Sequence, residues 1–282
     1  MMKKRIRQSL KILAGLALVF LVYAFFFILP FESTDDAYLE SHVVAVSAQV
    51  TGHVTKVLVT DNQVVKAGEV LAEVDARDYT AAEAQAKADY TAAAANAKKA
   101  VSDVTRYQPL LARREISEQV YEHAVLLQEQ TQAEAASKKA AWQLAELNLT
   151  HTKITAPFAG RVTRKSVEVG THLQVGQPIL ALVSPELWVV ANFKETQITN
   201  MQPGQKATIT IDSHGQQQFK AHVDSLQMGA GSRFSMFPPE NASGNFVKVV
   251  QRVPVKIIFD EALPSGATFG PGFSVVAKVR TK

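Results

Sequence analysis

Histidines and carboxylates are the side chains of this sequence that could hold a metal ion or transfer protons. The chain has seven histidines, and none follows another in the His-x-x-x-His spacing that places two ligands on one helix face. They are His42, His53, His123, His151, His172, His214 and His222. Asp35 and Asp36 are adjacent carboxylates, but they lie in the polar segment that follows a long apolar run. We therefore predict no catalytic, cofactor-binding or metal site.

Composition excludes further classes of function. The chain has no cysteine, which rules out thiol catalysis, disulfides and thiolate metal sites. It has no G-x-x-x-x-G-K phosphate loop, so we do not expect it to hydrolyse ATP. The net charge is +4, but five positive residues lie within the first eleven positions, so the remainder is nearly neutral and nucleic acid is a poor candidate partner. With 282 residues, 47% of them hydrophobic, the chain should form more than one domain.

An apolar run near the N-terminus predicts a membrane anchor. Ile12 to Leu29 is about 18 residues long, which is close to the length that a helix needs to cross the hydrocarbon of a bilayer. Basic residues precede this run and acidic residues follow it, which places residues 1–11 in the cytoplasm and the remainder outside. A cleaved signal peptide is the alternative, but bulky residues 25–28 stand where small residues would mark cleavage. We predict a retained transmembrane helix over residues 12–31.

An internal repeat organises the residues that follow. Residues 48–75 and 156–183 align without a gap at an offset of about 108 positions, which superimposes Gly52 on Gly160 and Gly68 on Gly176. Each copy contains short β-branched strands separated by glycine turns and is too small to bury a core alone. We therefore expect the two copies to pack into one module, reached by residues 32–47, which form a linker and strand.

This layout resembles the biotinyl/lipoyl domain of HlyD-type periplasmic adaptors, also called membrane fusion proteins, in which a helical hairpin splits the domain. The opening of the second copy, Ala156-Pro157-Phe158-Ala159-Gly160, matches the A-P-x-x-G pattern of that family. In carrier enzymes the two halves meet at a hairpin that presents a modifiable lysine, whereas residues 74–79 here contain none. A covalently bound biotin or lipoate is therefore not expected.

The segment between the copies, residues 76–150, predicts a helical hairpin. It contains no glycine and a single proline, Pro109, which should kink or weaken the first helix. On the first arm a seven-residue spacing of small and aromatic residues predicts a coiled-coil seam. That seam comprises Tyr79, Ala86, Tyr90, Ala93, Ala97, Ala100, Val104, Tyr107 and Leu111. The second arm repeats less regularly, through Val120, Ala124, Leu127, Thr131, Ala141, Ala145 and Trp142.

The two arms must reverse near residues 113–116, because the chain returns to its own module. The family resemblance implies that Arg106, Leu110 and Ser117, around this reversal, contact the tip of an outer-membrane duct. Ser117 also precedes a helical segment, so it could act as a helix N-cap, and the two roles are compatible.

The last part of the chain, residues 185–282, is rich in strand patterns separated by turn residues and predicts a small antiparallel β-barrel after the second half of the module, residues 151–184. Predicted strands are residues 187–193, 207–211, 220–226, 247–259 and 274–279. A long Gly/Ser/Pro loop spans residues 229–245. Its Phe234, Met236 and Phe237 could contact an inner-membrane transporter or fold onto the barrel.

Three stretches are similar to the EmrA-like branch of the adaptor family. They are Thr34-Asp35-Asp36-Ala37-Tyr38, residues 191–197 (ANFKETQ) and residues 248–255 (KVVQRVPV). The resemblance implies a mainly β, α+β fold and a non-enzymatic adaptor in the inner membrane, with most of the chain in the periplasm. It also implies a ring of several copies that links a major facilitator drug:proton antiporter to an outer-membrane channel. The alternative is an adaptor of a type I secretion system with an ATP-binding cassette exporter.

Overall fold

The computed structural model describes residues 31–215, 217–231, 250–264 and 269–281, which form two compact units. One unit contains residues 31–42 and 184–281, and the other is Val43–Val183. The helices are α1 (Arg77–Ala112) and α2 (Glu118–His151). The strands are β1 (Phe31–Ser47), β2 (Gly52–Val57), β3 (Val64–Val65), β4 (Val70–Val74), β5 (Lys153–Thr155), β6 (Gly160–Thr163), β7 (His172–Leu173), β8 (Pro178–Lys194), β9 (Lys206–Ile211), β10 (Gln218–Leu226), β11 (Arg252–Phe259) and β12 (Ser274–Arg280).

Two predictions fall outside these residues. The predicted anchor lies outside the described residues except for Phe31, where β1 begins, and so does the predicted contact loop with Phe234, Met236 and Phe237. Within the described ranges, no helix has both the length and the apolar content required to span a bilayer.

The repeat forms a single β module with one shared core. Strands β5, β4, β2 and β7 form one sheet, while β6 pairs with both β3 and β8. The core consists of eight buried residues from each half, and each residue of the first half has its counterpart about 108 positions later. The pairs are Val46/Ile154, Ala48/Ala156, Val54/Val162, Val59/Val167, Val65/Leu173, Leu71/Ile179, Ala72/Leu180 and Val74/Leu182. The prediction that the two copies pack together is therefore confirmed.

Backbone hydrogen bonds between the halves are also reciprocal. The Gly68 N–H donates to the Ala156 carbonyl and the Gly176 N–H donates to the Ala48 carbonyl, both at 2.8 Å. Val54 and Val162 likewise donate to carbonyls of the opposite half at 2.9 Å. Each half therefore supplies the partners that the other half needs, and neither copy alone satisfies its own backbone.

Asp75 and Arg77 occupy the join at which the module leaves for the hairpin. The Arg77 side chain lies 2.6 Å from a carboxylate oxygen of Asp75, and the Arg77 backbone N–H donates to the same carboxylate at 3.1 Å. These hydrogen bonds from Arg77 lower the pKa of Asp75 to about 2, and the Asp75 carboxylate raises the pKa of Arg77. Asp75 thus satisfies a free N–H at the start of α1, where Ala76 has no capping side chain.

Helices α1 and α2 pack along a seam of small residues. Ala93, Ala97 and Ala100 are buried on α1, and all other predicted seam residues of α1 are partly buried, so the prediction for this arm is confirmed. Alanines at the contact allow the two helices to approach closely. Helix α1 continues past Pro109 to Ala112, so the proline does not end the helix, although it has no N–H to donate to the carbonyl four residues earlier.

The seam of α2 differs from the prediction at Ala141, which is exposed. Val120 and Leu127 lie between the helices but border a groove, which leaves them 46% and 42% exposed. Trp142 takes the seam position instead: its ring stacks on Tyr90 with centroids 5.6 Å apart, and its indole N–H donates to Glu83 at 2.6 Å. The large indole fixes the helical register here because its N–H requires an acceptor.

The unit that contains residues 31–42 and 184–281 is a closed six-stranded barrel in the order β1-β12-β9-β10-β11-β8, with β8 pairing back to β1. Inward-facing residues of all six strands form its core, with Leu39, Phe193, Ile209 and Ile257 fully buried. The predicted small antiparallel barrel is confirmed. Strand β11 begins at Arg252, and residues 247–249 of the predicted strand lie outside the described residues. Strand β8 is longer than predicted because it starts within the repeat module.

The described parts of the three stretches that carried the EmrA-like resemblance lie on or beside strands β1, β8 and β11 of the barrel, and residues 248 and 249 lie outside the described residues. Arg252 lies 2.5 Å from a carboxylate oxygen of Asp36, and the side-chain amide of Asn192 donates to the other oxygen at 3.2 Å. A bulge between Thr34 and Ala37 interrupts the pairing of β1 with β12. These residues therefore connect strands from distant parts of the sequence, which gives the motif a structural role in closing the barrel.

Candidate partner-binding site at the hairpin tip

The hairpin reverses through a compact turn that the backbone itself stabilises. The Glu115 N–H donates to the Leu110 carbonyl at 3.0 Å, and the Arg114 N–H donates to the Leu111 carbonyl at 2.9 Å. This pair of bonds is the Schellman arrangement, which satisfies the last carbonyls of a helix. Arg114 has a φ of 61°, a conformation that this motif usually assigns to glycine. The exposed Arg114 side chain is therefore retained at some conformational cost.

Ser117 is the N-cap of α2. Its side-chain oxygen accepts the Val120 N–H at 3.4 Å, and its extended φ and ψ angles of −77° and 153° are those of an N-cap residue. Glu118 in the first turn adds a favourable charge at the positive end of the helix. The predicted capping role of Ser117 is therefore observed, and its side chain is exposed at the turn.

Arg106 and Leu110 lie one helical turn apart near the end of α1, so they occupy one face of the helix. The Arg106 side chain is 66% exposed and lies 3.1 Å from Asp103. Leu110 is partly buried. All three predicted residues therefore lie at the end of the hairpin distant from the β module: Arg106 and Leu110 in the final two turns of α1, and Ser117 at the N-cap of α2.

A groove opens between the helices below this turn. It has a volume of about 510 Å³. Its lining comprises Ala100, Asp103, Tyr107, Gln119, Val120, His123, Ala124 and Leu127. Ala100 and Ala124 are both buried, and their small side chains leave the space that larger neighbours border. The sequence did not indicate this groove, because it depends on which residues of α1 and α2 face each other.

The chemistry available at the tip is that of a contact surface. The Arg106–Asp103 pair is solvent-exposed and contributes about 1 kcal/mol or less, so Arg106 can exchange Asp103 for a carboxylate on another protein at little cost. Arg113 and Arg114 add two exposed cations at the turn. Neither was among the predicted contact residues, although both lie within the segment where the reversal was expected.

Two of the seven histidines are brought together on the β module. His53 and His172 are opposite each other on β2 and β7, with ring centroids 4.7 Å apart. Both side chains are exposed. Among the described residues, no group of three or more histidine, aspartate or glutamate side chains is arranged to hold a metal ion.

Comparison with known proteins assigns both units to established domain types. Residues 42–184 match the family described as the "RND MFP, barrel-sandwich hybrid domain", and residues 186–280 match the "AAEA-like beta-barrel domain". The first match covers the β module with its hairpin, and the second covers most of the barrel.

Curated relatives match almost the whole chain. The multidrug export protein EmrA of Haemophilus influenzae is 33% identical over 99% of this chain and 84% of its own length. The multidrug resistance protein MdtN of Escherichia coli is 32% identical over 95% of this chain and 94% of its own length. Because the alignment with the first relative spans 330 positions, that relative contains residues that this shorter chain lacks.

A solved structure supports the same assignment. The crystal structure of a MacA–MexA chimera containing the α-hairpin of MexA from Pseudomonas aeruginosa superimposes with a TM-score of 0.58 and 27% identity. The superposition covers 89% of this chain and 81% of the chimera. The split β module, the hairpin, the barrel and the relatives all agree, and the chain belongs to the HlyD-type membrane fusion proteins, in the EmrA-like branch of these periplasmic adaptors, and is not an enzyme.

Proposed function

We propose that this protein is the adaptor of a tripartite efflux pump that exports small hydrophobic or aromatic compounds. It connects a drug:proton antiporter of the major facilitator type in the inner membrane with an outer-membrane channel. The observation that carries the proposal is the hairpin itself. It is a pair of helices inserted between two halves of a β module that already supply each other's backbone hydrogen-bond partners. Relatives named for multidrug export support the pump assignment.

The dimensions of the hairpin suit a connecting role. Helix α1 has 36 residues and α2 has 34. At about 1.5 Å per residue, each arm extends roughly 50 Å from the β module. A single hairpin cannot enclose a channel, so several copies must line up to form a conduit, and a closed head-to-tail ring is the simplest assembly that does so.

One edge of the barrel is suited to face the inner membrane. Strand β1 begins there at Phe31, the last residue of the predicted anchor, and β12 ends there because Phe31 pairs with Arg280. In the alternating barrel, β10 ends and β11 begins at this same edge. The segment between these two strands includes Phe234, Met236 and Phe237, which we propose contact the transporter.

We propose that Arg106, Leu110 and Ser117, at the tip of the hairpin, contact the outer-membrane channel. Their support is positional: Arg106 is exposed and weakly paired, and Ser117 is exposed at the turn. Leu110 contributes an apolar surface one helical turn from Arg106. A small apolar patch beside a cation is a common composition for a protein contact.

Affinity purification of the tagged chain in mild detergent, followed by mass spectrometry, tests the partners. We expect recovery of a major facilitator transporter together with an outer-membrane channel. Recovery of an ATP-binding cassette exporter would contradict the antiporter proposal and favour the secretion alternative. Recovery of neither partner from a well-expressed sample would contradict the pump proposal itself.

Efflux measurements on tip variants test the channel contact. We expect Arg106→Asp and Leu110→Asp to abolish efflux, measured by accumulation of the exported compound in the cell, at unchanged expression and melting temperature. Lys139→Asp makes the same change in charge as Arg106→Asp, and Leu144→Asp the same substitution as Leu110→Asp, on exposed positions of α2 distant from the tip, and both should retain efflux. Normal efflux from both tip variants would remove the case for this contact.

A further inference from the structure

Two histidines face each other across a pair of strands in the β module. His53 lies on β2 and His172 on β7, and the two residues are direct partners in the antiparallel register. The Val54 N–H donates to the Thr171 carbonyl at 2.9 Å, which makes the histidines a non-hydrogen-bonded pair. In such a pair the Cβ atoms approach to about 4.5–5.5 Å, the closest spacing that two neighbouring strands offer.

The two imidazole rings are close enough to share one ion. Their centroids lie 4.7 Å apart, the ring planes make an angle of 59°, and both side chains are exposed to solvent. A zinc ion holds imidazole nitrogens at about 2.0–2.1 Å in tetrahedral geometry, which puts two such nitrogens roughly 3.3 Å apart. Rotation of the two exposed rings can bring one nitrogen of each to that spacing without moving the strands.

The hydrogen bonds of these rings leave nitrogens available as ligands. His53 Nδ1 lies 3.4 Å from the Gly170 carbonyl oxygen, which can only accept, so Nδ1 carries the proton and Nε2 presents its lone pair. A backbone carbonyl that accepts from one ring nitrogen is a common orienting partner of a metal-binding histidine. Within the described residues the His172 ring makes no hydrogen bond, so either of its nitrogens can bind a metal.

The neighbouring charged groups do not supply a third ligand. Asp75 lies beside His53, because its N–H donates to the His53 carbonyl at 2.8 Å. The Asp75 carboxylate is occupied by Arg77, whose side chain lies 2.6 Å from it. Water therefore fills the remaining positions of an ion held by the two imidazoles, which the exposure of both rings permits.

The internal repeat shows that the fold does not require this pair. At the offset of 108 positions, His53 corresponds to Arg161 and His172 corresponds to Val64. Those two residues are also direct partners, on β6 and β3, in a non-hydrogen-bonded pair with the same backbone bonding. The same backbone geometry thus accommodates an arginine and a valine, so neither packing nor register demands two histidines.

We propose that His53 and His172 bind one divalent transition-metal ion, Zn²⁺ or Cu²⁺, which links the two halves of the β module. Imidazole nitrogen is a preferred ligand of both ions. Strand β2 belongs to the first copy of the repeat and β7 to the second, so the ion adds a connection between the halves beyond their reciprocal backbone hydrogen bonds. The site concerns the β module alone and does not depend on the pump assignment.

Urea unfolding in the presence of Zn²⁺ tests the site, because an ion that binds only the folded state stabilises it. Trp142 lies in the same unit as both histidines and Trp188 does not, so tryptophan fluorescence of a Trp188→Phe chain reports that unit. The full chain, without a polyhistidine tag, is unfolded in EDTA and in increasing free Zn²⁺. We expect the midpoint to rise, and each tenfold increase in Zn²⁺ above the dissociation constant should raise the folding equilibrium constant about tenfold.

The double variant His53→Gln, His172→Gln removes both ligands and should abolish the Zn²⁺-dependent rise in the midpoint. The control His123→Gln, His151→Gln removes two histidines from α2 in the same unit and should keep the rise. Each variant is compared with itself in EDTA, so a change in its intrinsic stability does not affect the result. A rise that survives the first double variant, or no rise in the chain with all its histidines, would overturn the proposal.

The repeat also supplies a gain-of-function test. Val64→His and Arg161→His, added to the His53→Gln, His172→Gln chain, build the same pair at the equivalent position of β3 and β6. We expect this chain to regain the Zn²⁺-dependent rise. Failure to regain it would also count against the proposal and overturn it, because strand register would then not be what creates the site.

Discussion

Replacing Gly160 with alanine should destabilise the β module far more than the equivalent change at Gly176. A Cβ at Gly160 would lie 2.4 Å from the Val183 carbonyl oxygen and 3.2 Å from Leu182 Cγ. The carbonyl belongs to the backbone of β8, whose pairing with β6 at Arg161 limits its movement. Overpacking of this kind costs typically 1–3 kcal/mol, and contact with backbone places the change near about 3 kcal/mol.

Gly176 provides the matched control in the same copy of the repeat. It has a φ of 83°, and a Cβ there would meet no heavy atom within 4 Å. Alanine at this position therefore encounters only the left-handed backbone penalty of about 1 kcal/mol. The two variants thus differ by about 2 kcal/mol although the chemical change is identical.

Urea unfolding of the full chain measures the difference. The protein has two tryptophans, and Trp142 lies in the same unit as both glycines while Trp188 lies in the barrel unit. A Trp188→Phe background makes tryptophan fluorescence report the unit Val43–Val183 alone. Similar midpoints for Gly160→Ala and Gly176→Ala would refute the steric argument.

Three further predictions concern the hairpin and its base. Arg114→Gly should stabilise the chain by up to about 1 kcal/mol in thermal unfolding, because glycine adopts the φ of 61° without strain; a lower melting temperature would contradict this. Asp75 has a pKa of about 2 in the folded state against an ordinary value of 3.8, so its contribution to the unfolding free energy is present above pH 4 and is lost as the pH falls towards 2. Asp75→Asn should therefore make the unfolding free energy less dependent on pH between 4 and 2. An unchanged pH dependence would exclude the Arg77 hydrogen bonds as its source. Trp142→Phe removes the hydrogen bond to Glu83 but keeps a stacking ring, and should lower the unfolding free energy by about 1.5–3 kcal/mol, with little further loss on adding Glu83→Gln.

Sequence periodicity predicted the β module and the first arm of the hairpin well, because burial there follows the repeat directly. The residues at offset 108, such as Val54 and Val162, are the buried core itself. The second arm was harder to predict, since α2 also carries Leu126 and Leu144 on its exposed surface, at 63% and 60% exposure. Apolar residues on both faces weaken the helical pattern on which such a prediction depends.

The candidate tip site could be located but not detailed from sequence. The reversal was placed correctly near residues 113–116, because the chain must return to its module. The conformation of Arg114 carries no sequence signal, since no glycine or asparagine marks the left-handed position. The groove beside Tyr107 depends on the relative rotation of two helices, which a single sequence does not encode locally.

The reciprocal bonding of the two halves has a consequence for how the chain folds during synthesis. The first half cannot complete its backbone hydrogen bonds until the second half has been made, and roughly 80 residues separate β4 from β5. Closing a flexible loop of that length costs about 4 kcal/mol of chain entropy. The helices of the hairpin form local contacts early, and their zipping from Trp142 and Tyr90 towards the base brings β4 and β5 together. The projection that reaches outward in the mature protein would then also act as the tether that closes the module behind it.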